Sequence, residues 1–213
     1  EVQGEKAQIG IIGTGSRGLF HIKHLVQMPN VEVVALCDNY RPHLEDAAQY
    51  YPKAKQYDDY RRLLENKDVK GVIIATPLYL HAPMTIAALE AGKRVFCEKS
   101  MAYTMDEALE VYNRRKELGG VLFIGQQRLF DPKYVKAMQM IHEGVIGDVV
   151  GVRNYWYRNN DWRREVPSPE LERHINWRLY SEYSRGLMTE LACHQLQNGS
   201  WAMGMLPEKV MGS

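Results

Sequence analysis

The sequence predicts an α/β fold: a doubly wound parallel sheet over residues 1–125, then the start of an α+β domain with an open, mainly antiparallel sheet over residues 126–213. Three observations predict it. Short apolar runs bounded by glycine alternate with stretches of helical spacing through the first half of the chain. The first such run opens into a glycine-rich turn that leads straight into a helix. Beyond Gly125 the alternation gives way to a long run, Asp148 to Tyr157, whose Val, Tyr and Trp content suits a sheet with one open face.

Ala7 to Ile12 and Val31 to Cys37 are apolar and read as buried parallel strands. Between them Leu19, Ile22, Leu25 and Val26 recur with helical spacing over Ser16 to Met28, and Pro29 follows, which completes a βαβ unit. A helical stretch near Pro42 to Tyr51 and a short helix near Tyr57 to Glu65 lead to Gly71 to Ala75, counted as the fourth strand. Pro83 to Ala91 is helical and stops at Gly92; Arg94 to Cys97 is the fifth strand. Met105 to Leu118 is amphipathic, ends at Gly119-Gly120, and leads into Val121 to Ile124 as the sixth. Six strands with intervening helices make one complete doubly wound sheet. Pro132 to His142 is helical, Arg158 to about Tyr183 is a polar, aromatic loop, and a helix runs from about Leu187 to Met203. One long strand cannot bury its face alone, so the rest of the second domain is expected to lie outside this sequence.

At 213 residues the chain can bury a substantial core. Its 45% hydrophobic and 25% charged composition is that of a soluble globular protein. The 27 basic and 26 acidic residues leave a formal net charge of +1, spread along the chain, with no electrostatic footprint for nucleic acid or anionic lipid. Partners are therefore expected to be small molecules. Cys37, Cys97 and Cys193 are odd in number and far apart, which fits neither a disulfide framework nor a zinc site, and no metal is expected. No apolar run approaches a membrane span and no signal peptide is present. The first residue is Glu1 rather than methionine, read as the trace of a removed leader, tag or export signal; the compartment stays open between the cytoplasm, the default, and export.

In Gly13-Thr14-Gly15-Ser16-Arg17-Gly18 the first glycine permits a tight turn, the second lets backbone approach a pyrophosphate, and the third allows close packing of helix on strand. The helix N-terminus then faces the anion. Asp38 ends the next strand about 20 residues on, where a carboxylate binds the ribose hydroxyls of a dinucleotide. The combination reads as a Rossmann site, and a carboxylate that repels a 2′-phosphate favours NAD over NADP. Asp38 is otherwise a helix N-cap and Asn39 a turn residue; Arg41 is either a solvated surface charge or an adenine-stacking group. Thr76-Pro77 follows the fourth strand at the carboxyl edge, where ligands bind in such sheets; Thr76 either meets the cofactor or caps the next helix. His81 either reaches the nicotinamide ribose or caps that helix.

Glu98-Lys99 ends the fifth strand, and with the glycine fingerprint and Thr76-Pro77 it resembles the Gfo/Idh/MocA family of NAD-binding oxidoreductases, named for glucose-fructose oxidoreductase, inositol dehydrogenase and a rhizopine-catabolism protein. The resemblance covers nearly the whole chain. Family members usually read Glu-Lys-Pro where this chain has Ser100. Gln126-Gln127-Arg128-Leu129-Phe130-Asp131-Pro132 resembles the family's stretch after the sixth strand, and Gly147-Asp148 its entry to a long strand. The family's second motif carries Asp, Gly, His and Asp on one helix; here Glu190, Ala192, His194 and Gln197 stand at those positions. Asn159-Asn160-Asp161-Trp162-Arg163 and Asn176-Trp177-Arg178-Leu179-Tyr180 look like a branch acting on sugars or glycosides. The resemblance implies cofactor contacts from the glycine loop, Asp38, Thr76, Pro77, Glu98, Lys99 and Gln127, and a homo-oligomer formed through the second-domain sheet.

Oxidising a secondary alcohol requires a group that accepts the hydroxyl proton, while the cofactor carries the redox chemistry. Lys99 is one candidate, at a strand's carboxyl end. His194 is the other: four residues after Glu190 on a helix, the two share a face and the carboxylate can orient the imidazole. His194 is assigned as general base, with Lys99 polarising the oxygen and relaying the proton, or the roles exchanged. Trp162 and Arg163 are candidates to close over nicotinamide or sugar. Three functions compete: an NAD-dependent dehydrogenase acting on a sugar, cyclitol or glycoside; a redox glycosidase that oxidises, eliminates and re-reduces with no net NADH; and a non-catalytic NAD-binding regulator.

Overall fold

A computed structural model describes residues 6–157, 159 and 161–212; Glu1, Arg158 and Asn160 lie outside the described residues. The chain divides into two compact units, Glu1–Gly125 and Gln126–Ser213, each described by itself.

The first unit is built from β1 (Ala7–Ile12), α1 (Ser16–Leu25), β2 (Val31–Cys37), α2 (Arg41–Ala48), β3 (Lys55–Tyr57), α3 (Tyr60–Glu65), β4 (Gly71–Ile74), α4 (His81–Glu90), β5 (Arg94–Glu98), α5 (Met105–Glu117) and β6 (Leu122–Gly125). Its six strands are all parallel in the order β3-β2-β1-β4-β5-β6, the doubly wound order in which the chain reverses direction between β1 and β4. Successive residues of a strand point to opposite faces, and the core divides accordingly. Ile11 packs with Ile22, Leu36, Leu44 and Ala47 on one face; Ile12 packs with Leu63, Val72, Ile74, Met84, Ala88 and Cys97 on the other. Each fully buried Ile or Leu contributes roughly 1.5–3 kcal/mol.

Register fixes where the loops emerge. Ile12 pairs with Cys37 and with Ile74, Ile74 with Cys97, and Cys97 with Ile124, so the strand ends align across the sheet. The segments after β1, β2, β4, β5 and β6 therefore leave along one carboxyl edge.

The numbering of strands in the sequence leaves the third without a location. It is β3, whose Lys55 and Gln56 are exposed at the sheet edge, so no apolar run marks it. The following helix starts at Tyr60 rather than Tyr57 because the Asp59 side chain accepts the Arg61 N–H and caps it. Helix α4 starts two residues before Pro83, which the first turn tolerates because its N–H groups have no intrahelical acceptor. Helix α5 begins with a reciprocal capping box: Thr104 accepts from the Glu107 N–H, and the Glu107 carboxylate accepts from the Thr104 N–H.

The second unit holds α6 (Pro132–His142), α7 (Glu172–Ile175) and α8 (Cys193–Met203), with a π-helical turn over Met188–Ala192 leading into α8. Asp131 caps α6 through the Lys133 N–H, and the His142 imidazole reaches the Trp201 carbonyl of α8 at 2.8 Å. The long strand expected over Asp148 to Tyr157 is not formed: no described residue of this unit offers a ladder to pair with it, and an unpaired extended segment is not a strand. Val150 is 96% exposed, while Trp156 at the other end of the segment lies under the Arg128 guanidinium, 5.0 Å from the ring centroid. Asn176, 2% exposed, pins the aromatic loop instead: its amide accepts from the Arg164 N–H and donates to the Arg164 carbonyl and to Glu172.

Candidate cofactor and catalytic site

At the carboxyl edge the glycine loop is closed by sterics. Gly13 has φ +86°, and a Cβ there would lie 2.8 Å from the Ala75 carbonyl carbon. A Cβ on Gly18 would meet the Gly13 carbonyl oxygen at 1.9 Å, so α1 sits on β1 only because this residue is glycine. Gly15 is the residue before α1, with the His43 ring packed against it. Ser16 and Arg17 form the first turn of α1, whose N-terminal amides and dipole favour an anion.

Asp38 follows β2. Its Oδ2 accepts from the Thr14 N–H at 2.8 Å and its Oδ1 from the Tyr40 N–H at 2.8 Å. Burial alone would raise the Asp38 pKa, but His43 and the Tyr40 and Thr14 amides outweigh it and hold the carboxyl below its ordinary value. The Asp38 carboxyl is therefore ionised at neutral pH. Asn39 is an exposed turn residue, and Tyr40 rather than Asp38 occupies the cap position of α2. Arg41 is exposed and paired with Glu45 one turn on at 2.8 Å, the surface-charge arrangement.

Thr76-Pro77 occupies the loop between β4 and α4. The Thr76 hydroxyl is buried and, among the described residues, has no hydrogen-bond partner. It does not cap a helix, since Leu80 precedes α4 without a side-chain cap. His81 is 2% exposed and turned inward: Nδ1 meets the Ser100 carbonyl at 2.6 Å and Nε2 the Thr76 carbonyl at 2.9 Å. Carbonyl oxygens only accept, so both ring nitrogens donate. Burial on its own would lower the imidazole pKa; Cys97 and the two carbonyls raise it to about 9. His81 thus braces the turns after β4 and β5, and both nitrogens are committed there rather than to a cofactor ribose.

Glu98 ends β5 with its side chain 7% exposed. Oε1 accepts from Arg17 Nε at 2.6 Å and from His21 Nε2 at 2.8 Å; Oε2 accepts from the Lys99 N–H at 3.2 Å. Burial would raise this carboxyl, but His21 and Arg17 lower it to about 2. Lys99 is half-buried at the same edge. The cis peptide Lys99-Ser100 falls where the family carries proline.

In the second unit Glu190 is 5% exposed within the π-helical turn, accepting from Ser184 Oγ and Arg178 Nε, each at 3.1 Å. His194 is buried at the start of α8. Gln127 is exposed in a short 3-10 turn, Trp162 is half-buried, and Arg163 is exposed and paired with Glu172 at 2.6 Å. The structure thus gathers the glycine loop, Asp38, Thr76, Pro77, Glu98 and Lys99 along one edge, and Glu190 with Arg178 and Ser184 in a second cluster. Sequence reading missed His21, His43 and Ser184. Arg17 and His21 are one helical turn apart, a spacing that was readable; the contact with Glu98 was not. A groove of about 520 Å³ lies elsewhere, at the amino ends of the strands, lined by Ile9, Ile73, Phe96 and Val121 together with Lys70 and Arg94. Among the described residues no cluster of His, Cys, Asp and Glu can hold a metal ion, and no helix is long and apolar enough to cross a membrane.

These features fit a dinucleotide on structural grounds. A glycine cradle that any Cβ would fill faces a helix N-terminus, an ionised carboxylate stands at the next strand, and the buried Thr76 hydroxyl offers an unused hydrogen-bonding group at the same edge. The first unit is a dinucleotide-binding Rossmann domain.

Comparison with known proteins places it more narrowly. The model of an oxidoreductase family with an NAD-binding Rossmann fold matches residues 7–126, and that of the GFO/IDH/MocA C-terminal domain matches residues 134–213. The chain belongs to the Gfo/Idh/MocA family. It is 37% identical over 159 residues to a glycosyl hydrolase family 109 protein of Stenotrophomonas maltophilia, covering 70% of this chain and 35% of that protein. It is 37% identical over 151 residues to an inositol 2-dehydrogenase of Salmonella typhimurium, covering 70% and 45%. The crystal structure of myo-inositol 2-dehydrogenase from Lactobacillus plantarum superposes with a TM-score of 0.65 at 29% identity, covering 68% of this chain and 44% of that one. The chain spans less than half the length of these relatives.

Proposed function

We propose that this chain belongs to an enzyme that transfers a hydride between NAD and a secondary hydroxyl of a sugar, cyclitol or glycoside. The observation that carries the reading is the alignment of Gly13–Gly18, Asp38 and Glu98-Lys99 along one edge of the sheet, with Asp38 ionised. A bound dinucleotide would supply the hydride-acceptor chemistry. The protein's part is to hold the two ribose and phosphate ends and to take the hydroxyl proton. The α1 N-terminus and Gly15 receive the pyrophosphate, and Asp38 receives the adenosine ribose while disfavouring a 2′-phosphate. Thr76 adds a hydroxyl at that edge. Lys99 and His194 are the proton-handling candidates, with Glu190 held in place by Arg178 and Ser184. The second unit supplies Gln127 as a cofactor contact, Trp162 and Arg163 as groups that close over nicotinamide or sugar, and the surface for self-association.

The test is single-turnover reduction of NAD by a panel of cyclitols and sugars, with Lys99→Met and His194→Ala measured separately. General acid–base catalysis is worth about 100- to 10,000-fold, so undiminished rates in both variants would reject these roles. The likeness to a glycosyl hydrolase family 109 protein supports a second reading, redox glycosidase chemistry. Stoichiometry separates them: release of an aryl aglycone without net NADH supports the glycosidase, accumulation of NADH the dehydrogenase.

A further inference from the structure

We propose that His21 is a positioning residue of the cofactor edge: with Arg17 it clamps the buried Glu98 carboxylate, and Glu98 in turn fixes the backbone where β5 exits at Lys99. The inference rests on the proposed role of Lys99.

A carboxylate this deeply buried is costly unless its lone pairs are taken. Here both donors to Oε1 come from one face of α1, since Arg17 and His21 stand four residues apart. The other oxygen, Oε2, accepts the Lys99 N–H. Glu98 therefore ties the residue that follows β5 to the helix whose N-terminus receives the cofactor's phosphates. A carboxylate only accepts, so His21 Nε2 carries the proton. The imidazole is itself steered: its ring meets Phe96 edge-on at 5.5 Å, and Phe96 stacks on Phe123 at 5.4 Å. Across the sheet Gly125 of β6 is the register partner of Glu98, and a Cβ there would be in ordinary contact with the Glu98 Cα at 3.4 Å. Glu98 is thus held from α1, β6 and its own strand, and it passes this constraint to the Lys99 amide. Replacing a buried ion pair by apolar side chains is often neutral for stability. What such a replacement would lose here is the fixed exit of β5.

The experiment compares the full chain with His21→Ala and His21→Gln, the glutamine keeping a donor in reach of Glu98. Three quantities are measured: hydrogen exchange of the Lys99 amide, affinity for NAD, and single-turnover hydride transfer from myo-inositol as probe. The proposal expects Lys99 amide exchange about tenfold faster in His21→Ala, the scale of one hydrogen bond to a charged group. It expects NAD affinity unchanged within about threefold and hydride transfer slowed on the order of 10- to 100-fold, as misplacement of a catalytic group by about 1 Å produces. His21→Gln restores both. The Val95 to Cys97 amides report overall stability; if they accelerate together with Lys99 in the alanine variant, the glutamine variant and its recovery decide. Unchanged Lys99 exchange in a folded His21→Ala overturns the proposal, and so does an NAD affinity that falls by the same factor as the rate. Absence of hydride transfer in the unmodified chain counts against the oxidoreductase reading alone, because the exchange measurement still decides the positioning role.

Discussion

Thr14 and Asp38 meet across the first crossover: the Thr14 N–H and hydroxyl both donate to Asp38 Oδ2, at 2.8 and 3.3 Å. The carboxylate that is to receive the ribose thus also shapes the glycine loop. Asp38→Asn keeps the size but sets an amide NH₂ against one of two backbone donors. The expected result is a loss of about 1–3 kcal/mol in unfolding free energy, weaker NAD binding, and a smaller preference over NADP. Denaturant titration and binding of both dinucleotides check it; an unaltered NAD-to-NADP ratio would show that Asp38 does not discriminate.

Glu98 predicts an acid-labile element. Its carboxyl titrates near 4.5 when free and at about 2 here, against the opposing effect of burial, because His21 and Arg17 favour the anion. The contribution to stability is therefore complete above pH 4.5 and is lost as pH falls toward 2. Its size is roughly 3 kcal/mol by linkage. Glu98→Gln removes it, so the unfolding free energy of this variant should vary less between pH 5 and pH 3 than that of the unmodified chain. Equal slopes would contradict the assignment.

The opposite sign applies to His81. Its pKa is raised from 6.5 to about 9, so its contribution is full below 6.5 and disappears as pH rises through about 9. Deprotonation leaves the carbonyl of Ser100 or Thr76 facing a bare nitrogen. Thermal melts at pH 7 and pH 9.5 should show a drop at alkaline pH that His81→Asn lacks, since asparagine has no titrating group. His81→Ala, which removes the donors to the Thr76 and Ser100 carbonyls, should cost on the order of 2–5 kcal/mol.

What the sequence disclosed follows from what each element buries. β1, β2 and β4 contribute to both core faces, β5 and β6 to one, and all five show as apolar runs; β3 ends the sheet with Lys55 and Gln56 exposed and shows as nothing. Gly13, Gly15, Gly18 and Asp38 were legible because their chemistry lies in short-range spacing. His81 was ambiguous because its partners are Thr76 and the distant Ser100, and Arg17 was read only as part of the cofactor-binding glycine loop because its bond to Glu98 spans 81 residues. The segment from Asp148 to Tyr157 has strand composition without a strand, since pairing, unlike propensity, is not a property of one segment.

Thr104 offers a test of local against tertiary stability. The capping box satisfies the Thr104 and Glu107 amides at the start of α5. Thr104→Ala should destabilise the first unit by about 1 kcal/mol without altering NAD affinity, because α5 starts outside the glycine cradle. Calorimetry and NAD titration on the same samples check both halves of the expectation.

The three glycines of the cradle should separate into two kinds. A Cβ on Gly18 collides with the Gly13 carbonyl oxygen at 1.9 Å, and one on Gly13 with the Ala75 carbonyl at a positive φ of 86°. Both obstacles are backbone, so α1 or β4 would have to move, and each alanine variant should lose about 3 kcal/mol or more. Gly15 differs: its Cβ would meet only the His43 ring, at 3.2 Å, and a partly exposed side chain can give way. Gly15→Ala should therefore fold within about 1 kcal/mol of the unmodified chain yet bind NAD at least about tenfold more weakly, because the methyl fills the space the pyrophosphate needs. Denaturant midpoints and NAD affinities for the three variants supply the comparison. A Gly15→Ala protein that binds NAD normally would mean that the pyrophosphate does not lie against Gly15.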